Sequence, residues 1–254
     1  MSYNIRTSKS DKETENAWSV RRPATISLIE DIEPDVFGLQ EARTDQLEYI
    51  AENCPDYDMY GVGRDDGVSK GEHMMVCWNK NTIKMHEGST FWMSDTPDEP
   101  SSGWGTSIKR STTVTLMEYR RTGQKFFFVN THLDHVSTES QTKGLALIVE
   151  RVAEVNPEGY PMVLVGDFNI NPDHPSLTEL DKIMLSARTY SLYEKDTNYT
   201  FNGWKEVPDE PVEIIDYIYY SGFEASLYFK RVTKQYDGIK FISDHYPVVS
   251  ELVF

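Results

Sequence analysis

The chain has 254 residues, of which 41 are acidic and 25 are Lys or Arg, so its formal net charge is −16 at pH 7 and its pI is about 4.8. This acidity disfavours tracking along a nucleic-acid backbone, because proteins that do so carry basic faces. The apolar runs fall short of the ~20 residues that cross a bilayer. No linker or repeat divides the sequence, so we expect a single domain over residues 1–254 and a monomer.

The first forty residues predict two strands that each end in a polar side chain. Residues 2–6 read as a strand with Asn4 at its end, and the apolar residues 36–41 end in the carboxylate of Glu41. Between them a helix is predicted over residues 23–32, since proline is favoured in a first turn. A chain that starts directly in a strand favours a preceding leader, which leaves the cellular compartment open.

The middle of the chain predicts an irregular segment and then a strand that ends in an imidazole. Residues 94–109 are rich in Ser, Gly, Pro and Asp and contain Trp104. Long ordered loops are uncommon unless functional, so we interpret this one as a wall facing the substrate, the alternative being a floppy surface loop. Residues 126–132 form a strand ending in His132. An amphipathic helix follows, marked by the helical spacing of Leu145, Ile148, Val149 and Val152.

The segment 162–169 is the most informative part of the chain. Its apolar start reads as a buried strand, and Gly166 marks a tight turn or a close approach of another backbone. In an extended backbone Asp167 and Asn169 point to one side and Phe168 points to the other. A carboxylate beside a carboxamide can bind a hard cation, or it can position a water molecule for attack on phosphorus. The alternative is a Gly-Asp turn capped by the asparagine.

The C-terminal part adds a further carboxylate and a further imidazole. Residues 214–220 are otherwise apolar and aromatic but contain Asp216, whose burial is costly unless it is paired. Asp244 and His245 are adjacent in an extended stretch and face opposite ways, so they serve different partners. Asp216 can therefore orient His245, the alternative being an ion pair between Asp216 and an arginine. The aromatic residues 197–204 offer a stacking surface or a plug at one end of the fold.

Taken together, these segments resemble the endonuclease/exonuclease/phosphatase superfamily over nearly the whole chain. The elements that carry the resemblance are Asn4, Gln40-Glu41, Thr131-His132-Leu133, Gly166-Asp167-Phe168-Asn169, Asp216-Tyr217 and Ser243-Asp244-His245. The resemblance implies the α/β fold of DNase I, a four-layer α/β/β/α sandwich of two mixed sheets packed face to face with outer helices. It is nearest to the nocturnin, deadenylase and sphingomyelinase-like branches and to uncharacterised bacterial members.

The resemblance also implies a metal site and a water-activating pair. Glu41 resembles the principal metal carboxylate of the family, and Asn4 resembles a residue that contacts the metal or its waters. Asp244 resembles a further carboxylate on the metal side. Asp167 is similar to the residue that positions or deprotonates the attacking water, and Asn169 is similar to its partner on a phosphate oxygen. These oxygen-rich ligands favour Mg²⁺ or Mn²⁺ over zinc.

The remaining roles implied by the resemblance concern the phosphate and the leaving group. His245 resembles the imidazole that contacts the scissile phosphate and is the alternative general base, with Asp216 holding its tautomer. His132 resembles a second histidine on the leaving-group or phosphate side. Glu72 stands where deoxyribonuclease-like members keep a glutamate that orients that histidine. Arg110 resembles an arginine that contacts phosphate.

Three functions follow as hypotheses. The first is a Mg²⁺- or Mn²⁺-dependent phosphodiesterase or nuclease acting on a short nucleic acid, a nucleotide or a small phosphodiester. The second is a phosphomonoesterase on a sugar or lipid phosphate, and the third is a non-catalytic protein that binds phosphate ligands. The acidic composition disfavours long duplex DNA in each case. His135, three residues after His132, is predicted to lie at the surface.

Overall fold

The computed structural model describes residues 1–208 and 210–254, which contain thirteen strands and five helices. The strands are β1 (Ser2–Asn4), β2 (Val36–Ala42), β3 (Tyr57–Tyr60), β4 (His73–Asn79), β5 (Ile83–Trp92), β6 (Ser111–Tyr119), β7 (Gln124–His132), β8 (Met162–Asp167), β9 (Leu185–Ser186), β10 (Glu194–Lys195), β11 (Asp216–Ser221), β12 (Ala225–Arg231) and β13 (Val248–Val253). The helices are α1 (Trp18–Ile32), α2 (Thr44–Asn53), α3 (Thr138–Val155), α4 (Pro175–Leu180) and α5 (Ala187–Tyr190). Within these described ranges, no helix is long and apolar enough to cross a membrane.

The strands form two mixed sheets that face each other. The first has the order β10-β12-β13-β1-β2-β4-β3, and the second has the order β5-β6-β7-β8-β11-β9. Helices α1 and α2 share a hydrophobic core with the outer face of the first sheet, and α3 and α4 share one with the outer face of the second. A third core fills the space between the sheets. The predicted four-layer α/β/β/α sandwich is therefore confirmed.

Alternation along the strands assigns each side chain to one of these cores. In β7, Phe126 and Phe128 lie in the core between the sheets, whereas Phe127 and Val129 pack in the core beneath α3. Both faces of the strand are buried, so it reads as a continuous apolar run rather than an alternating one. A register slip of one residue would exchange the two faces, and the burial of both faces thus fixes the register that places His132 at the end of the strand.

A polar side chain lies inside the space between the sheets and joins them. Asn130 on β7 donates from Nδ2 to the carbonyl oxygens of Leu39 and Met75 on the opposite sheet, both at 2.9 Å, and its Oδ1 accepts from Gln40 Nε2 at 2.7 Å. A Cβ at Gly38 would come within 2.6 Å of the Asn130 side chain, so only glycine leaves room for it. The hydrogen bonds of Asn130 hold the two sheets in a fixed relation just below their polar edge.

We expect Asn130→Ala to lower the free energy of unfolding by about 3 kcal/mol, because two buried carbonyl groups lose the Asn130 donor and the Gln40 amide loses its shortest bond. Urea unfolding followed by circular dichroism measures the change. The matched control is Asn53→Ala, which removes an exposed amide bonded to Tyr49 O and should change stability by less than about 0.5 kcal/mol. Equal stability of the two variants would contradict the role given to Asn130.

Two helix predictions have different outcomes. The helix marked by Leu145, Ile148 and Val152 is confirmed as α3, and the Ser137 side chain caps its start by accepting from the Ser140 N–H. The predicted start of the first helix at Pro23 is wrong, because α1 already begins at Trp18 and contains Pro23 in its interior. Burial of Trp18 and Arg21 holds this early turn in place, as tertiary packing overrides a local breaker.

Candidate active site

The topology brings the polar strand ends to one edge of the sandwich. Strands β1 and β2 are parallel, so Asn4 and Glu41 lie at the same end of the first sheet. Strands β7 and β8 are also parallel, with His132 opposite Asp167. Strand β11 runs antiparallel to β8 and starts with Asp216 opposite Asp167. Side chains far apart in the sequence thus meet where these strands end.

One amide nitrogen marks the centre of the cluster. Asn4 Nδ2 lies 2.9 Å from Asp167 Oδ2, 3.2 Å from Glu41 Oε1 and 3.4 Å from His245 Nε2. Three predicted site residues from three different segments therefore surround a single atom. Because an amide N–H₂ group donates, Asn4 gives hydrogen bonds to both carboxylates and turns its own oxygen towards the Arg6 N–H. In this orientation the Asn4 amide nitrogen positions the two carboxylates.

Asp167 is a buried carboxylate with contacts to both histidines of the site. Besides Asn4, its Oδ2 lies 3.4 Å from His132 Nε2 and 3.7 Å from His245 Nε2, and its Oδ1 accepts the Asn169 N–H at 2.9 Å. Burial raises the pKa of Asp167 to about 7, against the opposing effect of the His245 charge. A carboxyl group with a pKa near neutrality can both accept and release a proton at physiological pH.

His245 is oriented from its other side. Its Nδ1 lies 2.9 Å from Asp216 Oδ2, and the Asp216 N–H is in turn bonded to Thr200 Oγ1. The ring of Phe201 meets the imidazole edge-on at 5.0 Å between centroids. Burial alone lowers the pKa of His245, but Asp216 and Asp167 together raise it well above its usual value. The Asp216 contact fixes which nitrogen faces the site, as predicted for a pair in which the carboxylate holds the tautomer.

The donor set for a cation lies on the Glu41 side. Glu41 Oε2 accepts the Thr7 N–H at 3.0 Å, and Asp244 Oδ2 pairs with Arg6 Nη1 at 3.1 Å. Burial raises the pKa of Asp244, and the negative charge of Glu41 adds to this effect although Arg6 opposes it. A divalent ion would offset the cost of burying the Asp244 carboxylate, and an all-oxygen set fits Mg²⁺ or Mn²⁺.

A second group of possible ligand atoms belongs to Asp167, Asp216 and His245, which offer one atom each within 4.8 Å of one another. In this group Asp216 and the Nδ1 of His245 are already bonded to each other at 2.9 Å. Asp216 Oδ1 has no hydrogen-bond partner among the described residues. The edge therefore offers two groups of possible cation ligands, this trio and the carboxylates of Glu41 and Asp244.

The backbone beyond β8 differs from the prediction. The strand ends at Asp167, and Asn169 has a left-handed φ of 53°, so alternation of an extended chain does not relate their side chains. Asn169 Nδ2 instead donates to Leu133 O at 3.1 Å. The close approach predicted at Gly166 is confirmed, because a Cβ there would lie 2.1 Å from Thr131 O. Asn169 is thus held between the ends of β7 and β8.

The contact predicted between Glu72 and His132 is not formed. Glu72 Oε2 lies 2.5 Å from Arg64 Nη1, while His132 Nδ1 is buried without a hydrogen-bond partner in the described part of the chain. Arg64 offers the glutamate a charged partner, which a neutral imidazole does not. Burial lowers the pKa of His132 well below its usual value, and the positive charges of Arg110 and Arg64 act in the same direction. His132 is therefore neutral at pH 7.

Arg110 lies at the same edge of the fold, directly before β6. Its Nη2 is 2.9 Å from His135 Nδ1, and its Nε is 3.4 Å from Asp134 Oδ2. The prediction that His135 lies at the surface is confirmed. Sequence reasoning did not single out Arg64, although the Gly63–Gly67 stretch around it carries the glycines of a tight, specific loop.

Trp104 lies away from the cluster. Its Nε1 donates to Asp95 Oδ1 at 2.9 Å, and Lys143 Nζ on α3 stands 5.7 Å from the centre of its ring. The ring therefore packs against the outer helix layer, not among the strand ends. Another residue of the same loop does reach inward, since Lys109 Nζ donates to Asp65 O.

The fold and the buried carboxylate–imidazole cluster together define a DNase I-like sandwich protein with its site at the strand ends. The sequence profile of the Endonuclease/Exonuclease/phosphatase family matches residues 1–245, and the chain belongs to this family.

Known proteins resemble the chain over most of its length. The structure of mannosyl-6-phosphatase Bt3783 of Bacteroides thetaiotaomicron superimposes with a TM-score of 0.94 at 30% identity, covering 100% of this chain and 98% of that one. An uncharacterized protein, L388, of Acanthamoeba polyphaga mimivirus is 29% identical over 247 residues, 91% of each chain. D. rerio TDP2 complexed with single strand DNA product has a TM-score of 0.75 at 17% identity, covers 97% of this chain and 95% of that one, and shares the fold.

Proposed function

We propose that this protein is a divalent-metal-dependent phosphomonoesterase that acts on a small phosphorylated metabolite, with a sugar phosphate as the favoured class. The observation that carries the proposal is the convergence of Glu41, Asp167 and His245 on one nitrogen of Asn4. The similarity to a mannosyl-6-phosphatase supports a monoester substrate. The net charge of −16 supports a small substrate over a polymeric one. The sequence placed a phosphodiester first, and these two observations move the monoester ahead of it.

Some side chains of the site transfer protons, and others stabilise the charge of the phosphate. Asp167, with its pKa near 7, accepts the proton of the attacking water. His245, kept protonated by its two carboxylate neighbours, donates a charge-assisted hydrogen bond to a phosphate oxygen. His132 Nε2 lies 3.4 Å from Asp167 Oδ2 and is available on the leaving-group or phosphate side. Asn169 Nδ2 gives one hydrogen to Leu133 O and would donate the other to a phosphate oxygen.

Glu41 and Asp244 would hold Mg²⁺ or Mn²⁺, with Asn4 keeping Glu41 in place. A bound divalent ion would neutralise negative charge on the phosphate. Binding it at these carboxylates leaves the Asp216–His245 pair intact.

We expect Asp216→Asn to lower kcat by about 100-fold or more, because the amide no longer stabilises the charged imidazole or fixes its tautomer. The pKa of His245 should fall, since Asp216 is the main group that raises it, and protonated His245 is then lost at a lower pH. An NMR titration of the histidines in metal-free protein measures this shift beside the kinetics. The control is Asp31→Asn at the surface, where Asp31 pairs with Lys234. It should leave kcat and the pKa of His245 unchanged. An unshifted His245 pKa would contradict the pairing.

A substrate comparison tests the proposed function. Mannose 6-phosphate, p-nitrophenyl phosphate and bis-p-nitrophenyl phosphate are assayed with Mg²⁺, with Mn²⁺ and with EDTA. We expect hydrolysis of both monoesters that EDTA abolishes, and a value of kcat/KM for the diester at least about 100-fold lower. Preference for the diester would restore the phosphodiesterase hypothesis. The absence of turnover on every ester would support the binding protein.

A further inference from the structure

Four charged side chains form a second cluster next to the site, on the side of His132. This cluster, called here the arginine–carboxylate array, consists of Arg64, Glu72, Arg110 and Asp134. Arg64 pairs with Glu72 at 2.5 Å, and Arg110 pairs with Asp134 at 3.4 Å. The two carboxylates offset the two arginines, and Asp65 Oδ1 lies a further 4.0 Å from Arg64 Nε, so the array presents hydrogen-bond donors and acceptors without a net positive charge.

Strand register places the array against the reacting groups. Thr112 pairs with Thr131 across β6 and β7, so Arg110, which directly precedes β6, lies at the level of His132 and the residue after it. His73 pairs with Ala42 across β4 and β2, which brings the preceding Glu72 to the end of the strand that carries Glu41. The array thus spans both sheets along the same edge as the catalytic cluster.

The loop that carries Arg64 is held in one conformation. Asp66 Oδ1 accepts the backbone N–H groups of Val68, Ser69 and Lys70 at 2.9 to 3.0 Å. Trp92 Nε1 donates to the carbonyl oxygen of Arg64 itself at 2.7 Å. These bonds pre-organise the guanidinium, which lowers the entropy lost when it binds a ligand.

Two buried groups of this region have unused hydrogen-bonding capacity. Arg64 is 9% exposed, and its Nε lacks a hydrogen-bond partner among residues 1–208 and 210–254. His132 is 4% exposed, and its Nδ1 is likewise unpartnered within those residues. Buried polar groups are nearly always hydrogen-bonded, so an unpartnered pair beside a reaction site points to a ligand that completes them.

We propose that the arginine–carboxylate array is the subsite for the leaving group and that it recognises a polyhydroxyl moiety, as in a sugar phosphate. A second anionic group on the substrate would be attracted by the arginines but repelled by the carboxylates. A hydroxyl group both donates and accepts, so neighbouring hydroxyls can donate to Glu72 and accept from Arg64 and Arg110. Asp134, whose Oδ1 accepts the Val136 and Ser137 N–H groups, holds Arg110 in place. This inference rests on the proposed phosphomonoesterase function and adds the residues that recognise the sugar.

Replacement of Arg64 tests the subsite because it should lower kcat/KM for a substrate with a sugar leaving group and not for one with a nitrophenyl leaving group. We expect Arg64→Met to lower kcat/KM for mannose 6-phosphate about 10- to 100-fold, because bonds from a charged donor to sugar hydroxyls are lost. The value for p-nitrophenyl phosphate, whose leaving group has no such hydroxyls, should change by less than about 3-fold. Glu72→Gln is the second variant and should show the same selective loss. The control is Arg121→Met, an exposed arginine stacked on Tyr119, which should leave both substrates unchanged.

The outcomes separate the subsite from the proposed function. Equal losses on both substrates in Arg64→Met and Glu72→Gln would overturn the subsite and assign the array to the phosphate or to folding. If the wild-type protein hydrolyses neither monoester, the phosphomonoesterase function itself fails. Thermal unfolding of each variant shows whether the loop remains folded, and a selective loss with an unchanged melting temperature supports the subsite.

Discussion

Asp167→Asn is expected to lower kcat by about 1,000-fold or more while the protein stays folded. The amide has the same shape as the carboxylate but cannot accept the proton of water, and proton transfer of this kind contributes about 10²–10⁴-fold to a rate. Its Oδ1 can still accept the Asn169 N–H that Asp167 accepts now. Steady-state kinetics on a monoester with saturating Mg²⁺ measures the loss.

The same substitution should stabilise the metal-free protein above neutral pH. The pKa of Asp167 is raised by burial from 3.8 to about 7, so the folded state favours the protonated carboxyl. That favourable contribution is complete below pH 3.8 and is lost as the pH rises through about 7. The asparagine variant avoids this loss, although it also loses the bond that Asp167 Oδ2 accepts from Asn4. Its stability relative to the wild type should therefore rise by roughly 2 kcal/mol between pH 4 and pH 8, with His245 offsetting part of the effect.

The exposed Asp173→Asn provides the control for both measurements, and we expect wild-type rates and stability from it. An Asp167→Asn variant that keeps more than a tenth of the wild-type kcat would contradict the role of Asp167 in proton transfer. A stability difference that is the same at pH 4 and pH 8 would contradict the burial of an ionised carboxylate at this position.

Glu41→Gln is expected to remove the response of the protein to Mn²⁺. If the ion binds only the folded state, a concentration 100 times the Kd should raise the free energy of unfolding of the wild-type protein by about 2.7 kcal/mol. The variant keeps the size of the side chain but loses the charge that attracts the ion and one of the two acceptors that now bond Asn4 and Thr7. The increase should therefore fall below about 1 kcal/mol at the same concentration. Urea unfolding with Mn²⁺ or EDTA measures it without reliance on turnover.

The exposed Glu48→Gln on α2 is the matched control for this metal titration. It removes the same charge from the surface and should keep the full Mn²⁺ response. If Glu41→Gln also kept it, the cation would have to bind elsewhere, and the trio of Asp167, Asp216 and His245 would become the better candidate.

The layers of the fold were predicted from the resemblance of the ordered motifs to a known family, whereas individual strands could be predicted from apolar runs that are buried on both faces. The strand that ends in His132 illustrates this, since its aromatic run leaves one register that fills both cores. The boundaries were harder to predict. The helix was predicted to start at Pro23 because proline is favoured in a first turn, but it starts at Trp18, which is buried by tertiary packing.

The convergence of site residues could be predicted from order and strand ends, but their exact partners could not. Asp216 and His245 meet because β11 and the segment before β13 share one edge, a consequence of topology. The left-handed turn at Asn169 depends on the carbonyl of Leu133, 36 residues away. Glu72 pairs with Arg64 because of the conformation of the loop that carries Arg64. Backbone hydrogen bonds set this conformation, and they are hard to predict from residue types.

A crystal of the protein grown with Mn²⁺ and inorganic phosphate tests the whole account most directly. We expect the anomalous signal of manganese between the carboxylates of residues 41 and 244, with the phosphate within hydrogen-bonding distance of the imidazole of residue 245. Manganese bound only at surface carboxylates, or phosphate held away from that imidazole, would contradict the assignment of this edge of the sandwich as a metal-dependent phosphate site.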